Sequence, residues 1–419
     1  MKKYFINGGK KLQGSIKVNS AKNSVLPIIA ACILNKDITV IKNAPMLDDV
    51  IVICDVLRSL GADISVDREQ KVIKIDTREL FQCEPPSEMI RKMRASFLIM
   101  GPMIARFGGF KISLPGGCNI GTRPIDLHLK GFKALGAEVN PQFGVVEARA
   151  EKLKGNRVYL DFPSVGATEN IMMAAVLADG ETVIENAAEE PEIEDLANFL
   201  RTMGAKIIGA GTGTIVIEGV KKLKGVEYTP MFDRIEAGTF MVAAAITRSK
   251  IKLENVNEKH IKSMTAKLAE MGIGITSGED YIIVEASEEL KPIDIKTMPY
   301  PGFPTDMQAQ IMALLTTVTG TSIITETIFE NRFMHVNELT RMGANIKIDG
   351  RNAIIEGIES LSGCEVKATD LRAGAALILA GLVAEGSTTI VDIYHIQRGY
   401  EEIEKKLQGV GADINIIDV

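Results

Sequence analysis

The sequence predicts an α/β fold in which two domains are each an inside-out α/β barrel, built from six repeats of about 70 residues with three repeats per domain. Three observations lead to this prediction. A short phrase with a central glycine recurs six times, a nearly all-apolar helical segment occurs once per repeat, and a stretch rich in Lys, Gly and Pro separates the first three copies from the last three. Recurrence at a fixed period is the signature of repeated structural units.

The recurring phrase is typical of a helix that ends in a tight turn and is followed by a strand. Apolar residues spaced i and i+3 lead into a glycine, which can adopt the left-handed conformation that ends helices. An alternating strand such as residues 63–66 then follows. The six copies are LRSLGADI (57–64), FKALGAEV (132–139), LRTMGAKI (200–207), LAEMGIGI (268–275), LTRMGANI (339–346) and LQGVGADI (407–414).

A second helix in each repeat is apolar on nearly every side, which is typical of a helix buried within its domain. A strand residue follows each predicted start by 16 to 18 positions. Each repeat is therefore predicted to contain a buried helix, a strand, an amphipathic helix, a glycine turn and a strand. Sheets and outer helices around buried helices give the inside-out arrangement. The predicted helix starts are Asn23, Arg94, Thr168, Glu236, Asp306 and Arg372.

The domain boundary is predicted between the third and fourth repeats, in the stretch KKLKGVEYTPMFD (221–233), because Lys, Gly and Pro are typical of connecting segments. Two domains facing each other would leave a cleft, where ligand sites tend to lie. Buried helices that point their N-termini at this cleft would favour anions there. We therefore expect an anion-binding cavity, although the formal net charge is -6.

Polar residues at the helix starts are candidates for this cavity. Arg94 and Arg372 are poor N-caps and oppose the helix dipole, so we expect both to contact ligand, whereas Asn23, Thr168 and Asp306 suit a capping role. The Gly/Pro-rich loop 114–128 carries Cys118 and Arg123. A thiol near cations can have a pKa suited to acid/base or nucleophilic work. Further cations at repeat junctions are Lys22, Arg332 and Arg398.

Composition and motif content exclude several classes of protein. With no Trp and seven Tyr, the chain offers few stacking platforms for single-stranded nucleic acid. The five Cys and four His lack metal-ligand spacing, so we expect no metal, and the absence of G-x-x-x-x-G-K-[ST] disfavours a nucleoside triphosphatase. No secretory segment is visible, and the longest uncharged run, 307–325, is too polar to span a membrane. We therefore expect a cytoplasmic protein without membrane insertion.

Five segments resemble the UDP-N-acetylglucosamine 1-carboxyvinyltransferase family, and the similarity continues from the first residues to about residue 414. They are LPGGCNIGTRPIDLH (114–128), FPTDMQAQ (303–310), ITETIFENRFMHV (324–336), TDLRAG (369–374) and YHIQRGYE (394–401). The resemblance implies transfer of the enolpyruvyl group of phosphoenolpyruvate to the 3′-hydroxyl of UDP-N-acetylglucosamine with release of phosphate. This is the first committed step of peptidoglycan synthesis, and it needs no cofactor.

The resemblance also implies the domain limits and the catalytic residues. The first domain would comprise residues 22–231, and the second 232–419 completed by the N-terminal strand in 1–21. Cys118 matches the family's proton donor, which also forms a covalent adduct, and Asp306 matches a general base near the 3′-hydroxyl. Alkylation of Cys118 by fosfomycin is expected. Lys22 and Arg398 are further catalytic candidates.

The remaining site residues implied by the resemblance bind the two substrates. One departure is Phe162-Pro163 before residue 164, where some members of the family have a Lys. The residues matching the phosphoenolpyruvate site are Lys22, Asn23, Arg123, Arg332, Arg372 and Arg398. Those matching the UDP-N-acetylglucosamine site are Arg94, Arg123, Pro124, Ile125, Asp126, Leu127, Ser164, Val165, Gly166, Asp306 and Ile328.

The sequence leaves three alternatives open. A 3-phosphoshikimate 1-carboxyvinyltransferase-like enzyme would share the fold, but the Cys-containing loop and FPTDMQAQ argue against it. A six-repeat DNA clamp would line its opening with basic helices, whereas the repeated helices here are apolar. A weakly catalytic regulatory paralogue would carry the same residues.

Overall fold

The computed structural model describes residues 2–81, 85, 86, 88, 94–113, 125–142 and 144–418, without the side chains of residues 94–96. Contacts between Cα atoms divide the chain into two units. Unit 1 contains residues 2–19 and 232–418, and unit 2 contains residues 20–113 and 125–231 among those described.

Helices occur in every repeat, and short 3₁₀ turns extend some of them. The 3₁₀ turns lie at Cys32–Leu34, Arg94–Ile99, Glu258–His260 and Thr305–Met307. The α-helices of the described chain include α1 (Lys22–Ala31), α2 (Asp48–Ser59), α3 (Met100–Phe107), α4 (Asp126–Ala134), α5 (Val165–Ala175), α6 (Pro191–Met203), α7 (Arg234–Ile246), α8 (Lys262–Glu270), α9 (Gln308–Leu315), α10 (His335–Arg341), α11 (Leu371–Gly381), α12 (Tyr394–Gln397) and α13 (Ile403–Gly409).

The strands are short, as expected for repeats of this length. They are β1 (Lys2–Asn7), β2 (Gln13–Lys17), β3 (Ile38–Ile41), β4 (Asp63–Asp67), β5 (Val72–Asp76), β6 (Gly109–Ser113), β7 (Glu138–Gln142), β8 (Val145–Arg149), β9 (Arg157–Tyr159), β10 (Glu181–Glu185), β11 (Lys206–Ile208), β12 (Thr214–Glu218), β13 (Glu227–Tyr228), β14 (Lys250–Glu254), β15 (Gly274–Ser277), β16 (Tyr281–Glu285), β17 (Ile295–Lys296), β18 (Thr321–Thr325), β19 (Asn345–Asp349), β20 (Asn352–Glu356), β21 (Glu365–Lys367), β22 (Ser387–Val391) and β23 (Asp413–Asp418).

The described strands form six separate sheets, one for each repeat, which confirms the six-fold repetition and the α/β class. Their strand orders are β13-β3-β5-β4, β6-β8-β7, β11-β12-β10-β9, β15-β16-β14-β2, β17-β18-β20-β19 and β21-β22-β1-β23. Each sheet is open in the part of the chain that the structure describes. The inside-out arrangement therefore consists of helices buried behind separate sheets and not of one closed ring of strands.

The N-terminal residues supply strands to two sheets of unit 1. β1 pairs antiparallel with both β22 and β23, so it takes the place that a hairpin partner takes in the other repeats. β2 pairs in parallel with β14. The chain ends of unit 1 are therefore joined by main-chain hydrogen bonds.

The prediction of buried helices is confirmed in both units. In unit 1, α7, α9 and α11 contact one another, and in unit 2, α3 contacts α5 while α1 contacts the 3₁₀ turn Arg94–Ile99. All but one residue of α1 and every residue of α9 are buried. Cys32 and Cys54 are fully buried small side chains of unit 2, and burial raises the pKa of both thiols.

The predicted starts of these helices were wrong by one to three residues at several places. Thr168 and Glu236 lie inside α5 and α7. The side chains that accept the capping bonds are Ser164, Asp233 and Asp370. The prediction took the polar residue next to the apolar run as the helix start, whereas α5 and α7 begin earlier, at Val165 and Arg234, directly after their caps. Asn23 also lies within its helix, since α1 has Ala21 at its N-cap.

The predicted glycine turns are confirmed in all six repeats. Gly61, Gly136, Gly204, Gly272, Gly343 and Gly411 have φ between 90° and 110°. Each turn has the same pair of backbone bonds, shown by Gly272 N to Ala269 O at 2.9 Å and Ile273 N to Leu268 O at 3.1 Å. These are the two bonds of the Schellman motif, which satisfies the last carbonyls of a helix.

The left-handed backbone at these turns predicts opposite effects for two glycine substitutions. Gly272→Ala is expected to lower the free energy of unfolding by about 1–2 kcal/mol, because φ is +92° although space for a Cβ is open. Gly409→Ala, at the end of α13 with equally open space and no positive φ, is expected to raise it by up to about 1 kcal/mol. Urea unfolding of both variants measures the difference, and equal effects would contradict a conformational origin.

Candidate functional site

In unit 1, one carboxylate lies between two guanidinium groups. Asp306 belongs to the 3₁₀ turn before α9, Arg332 to the loop before α10, and Arg372 to the first turn of α11. Nη2 of Arg332 donates to Asp306 Oδ1 at 2.7 Å. Nε and Nη2 of Arg372 donate to Asp306 Oδ2 at 3.2 and 3.0 Å. The structure therefore brings together three of the residues predicted from sequence, at one point of unit 1.

The three members of this cluster differ in exposure. The side chains of Arg332 and Arg372 are only 6% and 5% exposed, whereas that of Asp306 is 29% exposed. Burial by itself would raise the pKa of Asp306, but the two guanidinium groups and their hydrogen bonds hold that pKa well below its ordinary value. Asp306 is therefore a carboxylate at neutral pH, and its charge compensates two buried cations.

A different residue, Asp370, caps α11, so the Arg372 side chain is not needed at the helix start. Asp370 accepts bonds from the backbone N–H groups of Arg372 and Ala373 at 2.9 and 3.0 Å, which leaves the Arg372 side chain free of any capping role. Its guanidinium carbon lies 5.3 Å from the centre of the Tyr400 ring. Its buried Nη1 has no hydrogen-bond partner among the described residues. One donor of a buried cation is therefore available for an anionic ligand.

A buried polar network fixes the backbone at Asp306. Gln310 Nε2 donates to the carbonyl oxygen of Asp306 at 2.9 Å and to the Tyr400 hydroxyl at 3.2 Å. The Tyr400 hydroxyl also lies 2.9 Å from Thr239 Oγ1. Because α7, α9 and the segment after α12 supply these groups, three elements of unit 1 hold one turn in place.

His335 is a neighbouring titratable group that was not among the site residues predicted from the sequence. It is buried at the start of α10. Burial lowers its pKa to about 4, with the Asp370 carboxylate opposing this shift and the Arg332 guanidinium adding to it. The imidazole is therefore neutral at pH 7 and adds no further positive charge beside Arg332.

In unit 2, the buried Lys22 forms an ion pair with Asp49. Lys22 Nζ lies 3.0 Å from Asp49 Oδ2, and the two side chains are 10% and 7% exposed. The next residue, Asn23, is exposed at the first turn of α1. Ser24 donates its hydroxyl to Asp195, which also accepts the Tyr228 hydroxyl at 2.6 Å. The first turn of α1 is thus held by side chains from α2 and α6, and Asp49 was not predicted.

The two predicted UDP-N-acetylglucosamine segments of unit 2 lie next to each other. Ile125, Asp126 and Leu127 lie at the start of α4, and Ser164, Val165 and Gly166 at the start of α5. His128 of α4 contacts α5 at two points. Its Nδ1 is 3.1 Å from Asn170 Nδ2, and a Cβ on Gly166 would lie 3.2 Å from its ring. Two helix N-termini with partial positive charge therefore lie side by side.

The backbone of α3 approaches α5 closely enough to require a glycine. A Cβ at Gly101 would lie 2.2 Å from the carbonyl oxygen of Asn170. The Gly101 N–H donates to Asn170 Oδ1 at 2.7 Å. Because Asn170 also contacts His128, this one side chain connects three helices of unit 2.

Of the remaining predicted residues, the structure describes Ile328 and Arg398. Ile328 is partly exposed in the loop between β18 and α10, and Arg398 is partly exposed directly after α12. Cys118, Arg123 and Pro124 lie outside the described residues, as does the side chain of Arg94. Within the described part of the chain, no group of three His, Cys, Asp or Glu side chains could hold a metal ion. No helix described there is long and apolar enough to cross a membrane.

A sequence-family model and two solved structures identify the class of protein to which this chain belongs. A sequence model described as EPSP synthase (3-phosphoshikimate 1-carboxyvinyltransferase) matches residues 6–407. The structure of the enolpyruvyl transferase NikO from Streptomyces tendae covers 100% of this chain and 99% of its own, with a TM-score of 0.90 at 24% identity. An EPSP synthase from Acinetobacter baumannii gives a TM-score of 0.78 at 20% identity, with full coverage of both chains. At these identities the structural similarity shows the fold, which is that of the enolpyruvyl transferases.

Sequence relatives define the group more narrowly. UDP-N-acetylglucosamine 1-carboxyvinyltransferase 2 of Clostridium tetani is 68% identical over 414 residues, 99% of each chain. UDP-N-acetylglucosamine 1-carboxyvinyltransferase 1 of Clostridium acetobutylicum is 64% identical over 418 residues, 100% of each. The chain therefore belongs to the UDP-N-acetylglucosamine 1-carboxyvinyltransferase family, within the EPSP synthase-like enolpyruvyl transferases.

Proposed function

We propose that this protein transfers the enolpyruvyl group of phosphoenolpyruvate to the 3′-hydroxyl of UDP-N-acetylglucosamine and releases phosphate, without a cofactor. Identity of 68% over 99% of both chains carries the proposal. The 3-phosphoshikimate acceptor is not favoured, because the relatives of high identity carry the other name. Since UDP-sugars and phosphoenolpyruvate are metabolites of the cytoplasm, the proposal places the protein there, at the first committed step of peptidoglycan synthesis.

The Asp306–Arg332–Arg372 cluster supports a role in binding phosphoenolpyruvate. This substrate carries a phosphate and a carboxylate, and guanidinium groups bind such oxygens through paired hydrogen bonds. Both arginines are buried and oriented, and Arg372 Nη1 has no acceptor in the described chain. We propose that Arg332 and Arg372 bind phosphoenolpyruvate together with Lys22, Asn23, Arg123 and Arg398.

The proposed reaction is an addition followed by an elimination. Cys118 gives a proton to C3 of phosphoenolpyruvate while the 3′-oxygen bonds to C2, and Asp306 accepts the proton of that hydroxyl. The C2–O bond to phosphate then breaks, and loss of a proton from C3 restores the double bond. Fixed cations stabilise the departing phosphate.

We further propose that the helix starts at 125–127 and 164–166 bind the UDP-sugar together with Arg94, Pro124 and Ile328. We also propose that the protein has two domains. One comprises residues 22–231, and the other comprises residues 1–21 with 232–419.

Phosphate release is the direct test of the proposed function. Release is expected with phosphoenolpyruvate and UDP-N-acetylglucosamine together and not with either alone. Release with 3-phosphoshikimate as the acceptor, and none with the UDP-sugar, would transfer the protein to the other branch of the fold. Release with neither acceptor would favour a regulatory paralogue.

Fosfomycin provides a test of Cys118. We expect incubation with fosfomycin to abolish phosphate release and to leave one adduct on the peptide that contains Cys118, detected by mass spectrometry. Cys118→Asp is the matched control, because a protonated carboxyl group can still give a proton but is not alkylated as a thiol is. An unmodified Cys118 peptide from inhibited protein would contradict this assignment.

A further inference from the structure

Glu326 is a buried carboxylate directly after β18 that is not among the proposed substrate-binding or catalytic residues. It is 1% exposed. Its Oε1 accepts bonds from Thr297 Oγ1 at 2.9 Å, Ile328 N at 2.8 Å and Phe329 N at 3.2 Å. Its Oε2 accepts one from Thr305 Oγ1 at 2.8 Å. Four donors satisfy both oxygens, as a buried carboxylate requires.

Two of these four contacts lead directly to Arg332. The Thr305 hydroxyl that donates to Glu326 also accepts a bond from Arg332 Nη1 at 2.8 Å. The ring of Phe329, whose N–H donates to Glu326, lies 5.2 Å from the guanidinium carbon of Arg332. The guanidinium is therefore held by Thr305, by the Phe329 ring and by Asp306, and the first two are themselves held by Glu326.

The hydroxyl of Thr305 has a defined polarity because of Glu326. A hydroxyl has one proton and two lone pairs, and this proton points to the Glu326 carboxylate. The lone pairs are then directed to Arg332, and donation to a carboxylate strengthens the hydroxyl oxygen as an acceptor. The same carboxylate fixes the backbone at Ile328, one of the proposed UDP-sugar residues.

We propose that Glu326 is a positioning residue for phosphoenolpyruvate, which acts through Thr305 and Phe329 to hold the Arg332 guanidinium in the orientation that the anionic substrate needs. The inference rests on the proposed function. Glu326 itself is not expected to touch substrate. A carboxylate that only stabilised the turn at 326–329 would affect folding and leave the use of phosphoenolpyruvate unchanged.

Variants of Thr305 separate these two roles. Thr305→Val keeps the shape and removes the hydroxyl, whereas Thr305→Ser keeps the hydroxyl. We expect Thr305→Val to lower kcat/KM for phosphoenolpyruvate about 10- to 100-fold, the effect of one hydrogen bond to a charged group, and Thr305→Ser to restore most of it. The KM for UDP-N-acetylglucosamine serves as the internal reference and should change much less.

Glu326→Gln tests the carboxylate itself. Its amide oxygen can replace Oε1, but its amide N–H₂ would then face the Thr305 hydroxyl as a second donor and reverse the polarity there. We expect a loss for phosphoenolpyruvate similar to that of Thr305→Val. The double variant should lose no more than the larger single loss, because both changes break one connection.

Thr297→Val is the matched control. Thr297 is fully buried, donates to the other Glu326 oxygen, Oε1, and accepts the Thr327 N–H at 2.9 Å, but it has no part in the Thr305–Arg332 bond. This variant is expected to lower Tm while kcat/KM for phosphoenolpyruvate stays near the wild-type value. The positioning role would be overturned if Thr305→Val and Glu326→Gln, like Thr297→Val, changed Tm alone. It would also be overturned if Thr297→Val lost as much kcat/KM for phosphoenolpyruvate as Thr305→Val.

Inorganic phosphate separates failure of this inference from failure of the proposed function. Its binding is measured as a rise in Tm of the wild type and each variant. Suppose that the wild type releases no phosphate from the two substrates but is stabilised by added inorganic phosphate. The proposed function then fails, while a smaller rise in Tm for Thr305→Val and Glu326→Gln than for the wild type still supports the inference. If phosphate does not stabilise the wild type and there is no turnover, both are overturned.

Discussion

Replacing Asp306 with Asn is expected to lower kcat by about 10²–10⁴-fold, the usual range for loss of a general acid or base. An amide cannot accept the proton of the 3′-hydroxyl. The control is Asp294→Asn, since Asp294 is an exposed carboxylate of unit 1 that accepts a bond from the Ile323 N–H at 2.8 Å. Steady-state phosphate release measures both variants, and a kcat within a factor of about two of the wild type would remove Asp306 as the base.

The ion pairs of Asp306 predict how its basicity depends on substrate. In the free protein, the Arg332 and Arg372 guanidinium groups hold the pKa of Asp306 well below its ordinary value against the opposing effect of burial. Phosphoenolpyruvate offers its own anionic oxygens to these cations, so its binding should weaken their bonds to Asp306 and raise that pKa. We therefore expect the acidic limb of kcat to lie at higher pH than the acidic limb of kcat/KM, and to be absent in Asp306→Asn.

Affinity and turnover should change in opposite directions at this position. Asp306→Ala removes the anion that competes for the two guanidinium groups, so inorganic phosphate should bind about tenfold more tightly, which corresponds to about 1.4 kcal/mol. Weaker phosphate binding by this variant, measured by calorimetry, would contradict competition between Asp306 and the ligand for the same cations.

Stability gives an independent pH test of the same pairs. A carboxyl whose pKa is depressed by folding stabilises the protein above its unfolded pKa, here near the ordinary value of 3.8. The difference in unfolding free energy between wild type and Asp306→Asn should therefore stay constant from about pH 5 to 8 and shrink as the pH falls through and below the ordinary value. A difference that grew on acidification would contradict the ion pairs.

Sequence periodicity predicted the repeats well because the deciding interactions are local. A helix that ends at a glycine with positive φ, such as Gly272, depends on about six consecutive residues, and the same six-residue pattern recurs. The strands after the turns follow for the same reason. The second strands of the hairpins, such as β5 and β12, were not predicted, although their residues alternate between buried and more exposed positions.

The site was less predictable, since its pairings join distant segments. The poor fit of Arg372 to a capping role correctly marked it as unusual, but nothing in its own helix indicates that Asp306, 66 residues earlier, would receive its guanidinium. Asp306 suited a cap by residue type, yet its carboxylate bonds side chains and not backbone N–H groups. Asp49 and Glu326 gave no local signal at all, because each is defined by its partners in neighbouring segments.

Replacing Arg372 with Ala is expected to lower kcat/KM for phosphoenolpyruvate by about 10²–10³-fold, the usual loss when one donor that stabilises developing anionic charge is removed. The guanidinium is 5% exposed, so its hydrogen bonds are little screened by water. Arg372→Lys keeps the charge but has neither the Nε–H nor the planar fork that grips Asp306 Oδ2, and we expect it to recover only part of the loss. The KM for UDP-N-acetylglucosamine should remain close to that of the wild type.

Arg248 supplies the control for the loss of a partly buried arginine. Its guanidinium donates to the carbonyl oxygens of Ala245, Ile246, Glu288 and Thr317, so its role is to satisfy backbone groups of unit 1. Arg248→Ala should lower Tm, because partly buried backbone acceptors lose their donor, and should leave kcat/KM for phosphoenolpyruvate unchanged. Arg372→Ala should also lower Tm, since it removes one of the two cations paired with Asp306. If both variants lost kcat/KM in proportion to Tm, the effect at Arg372 would come from loss of structure, and the assignment of Arg372 to the anionic substrate would be withdrawn.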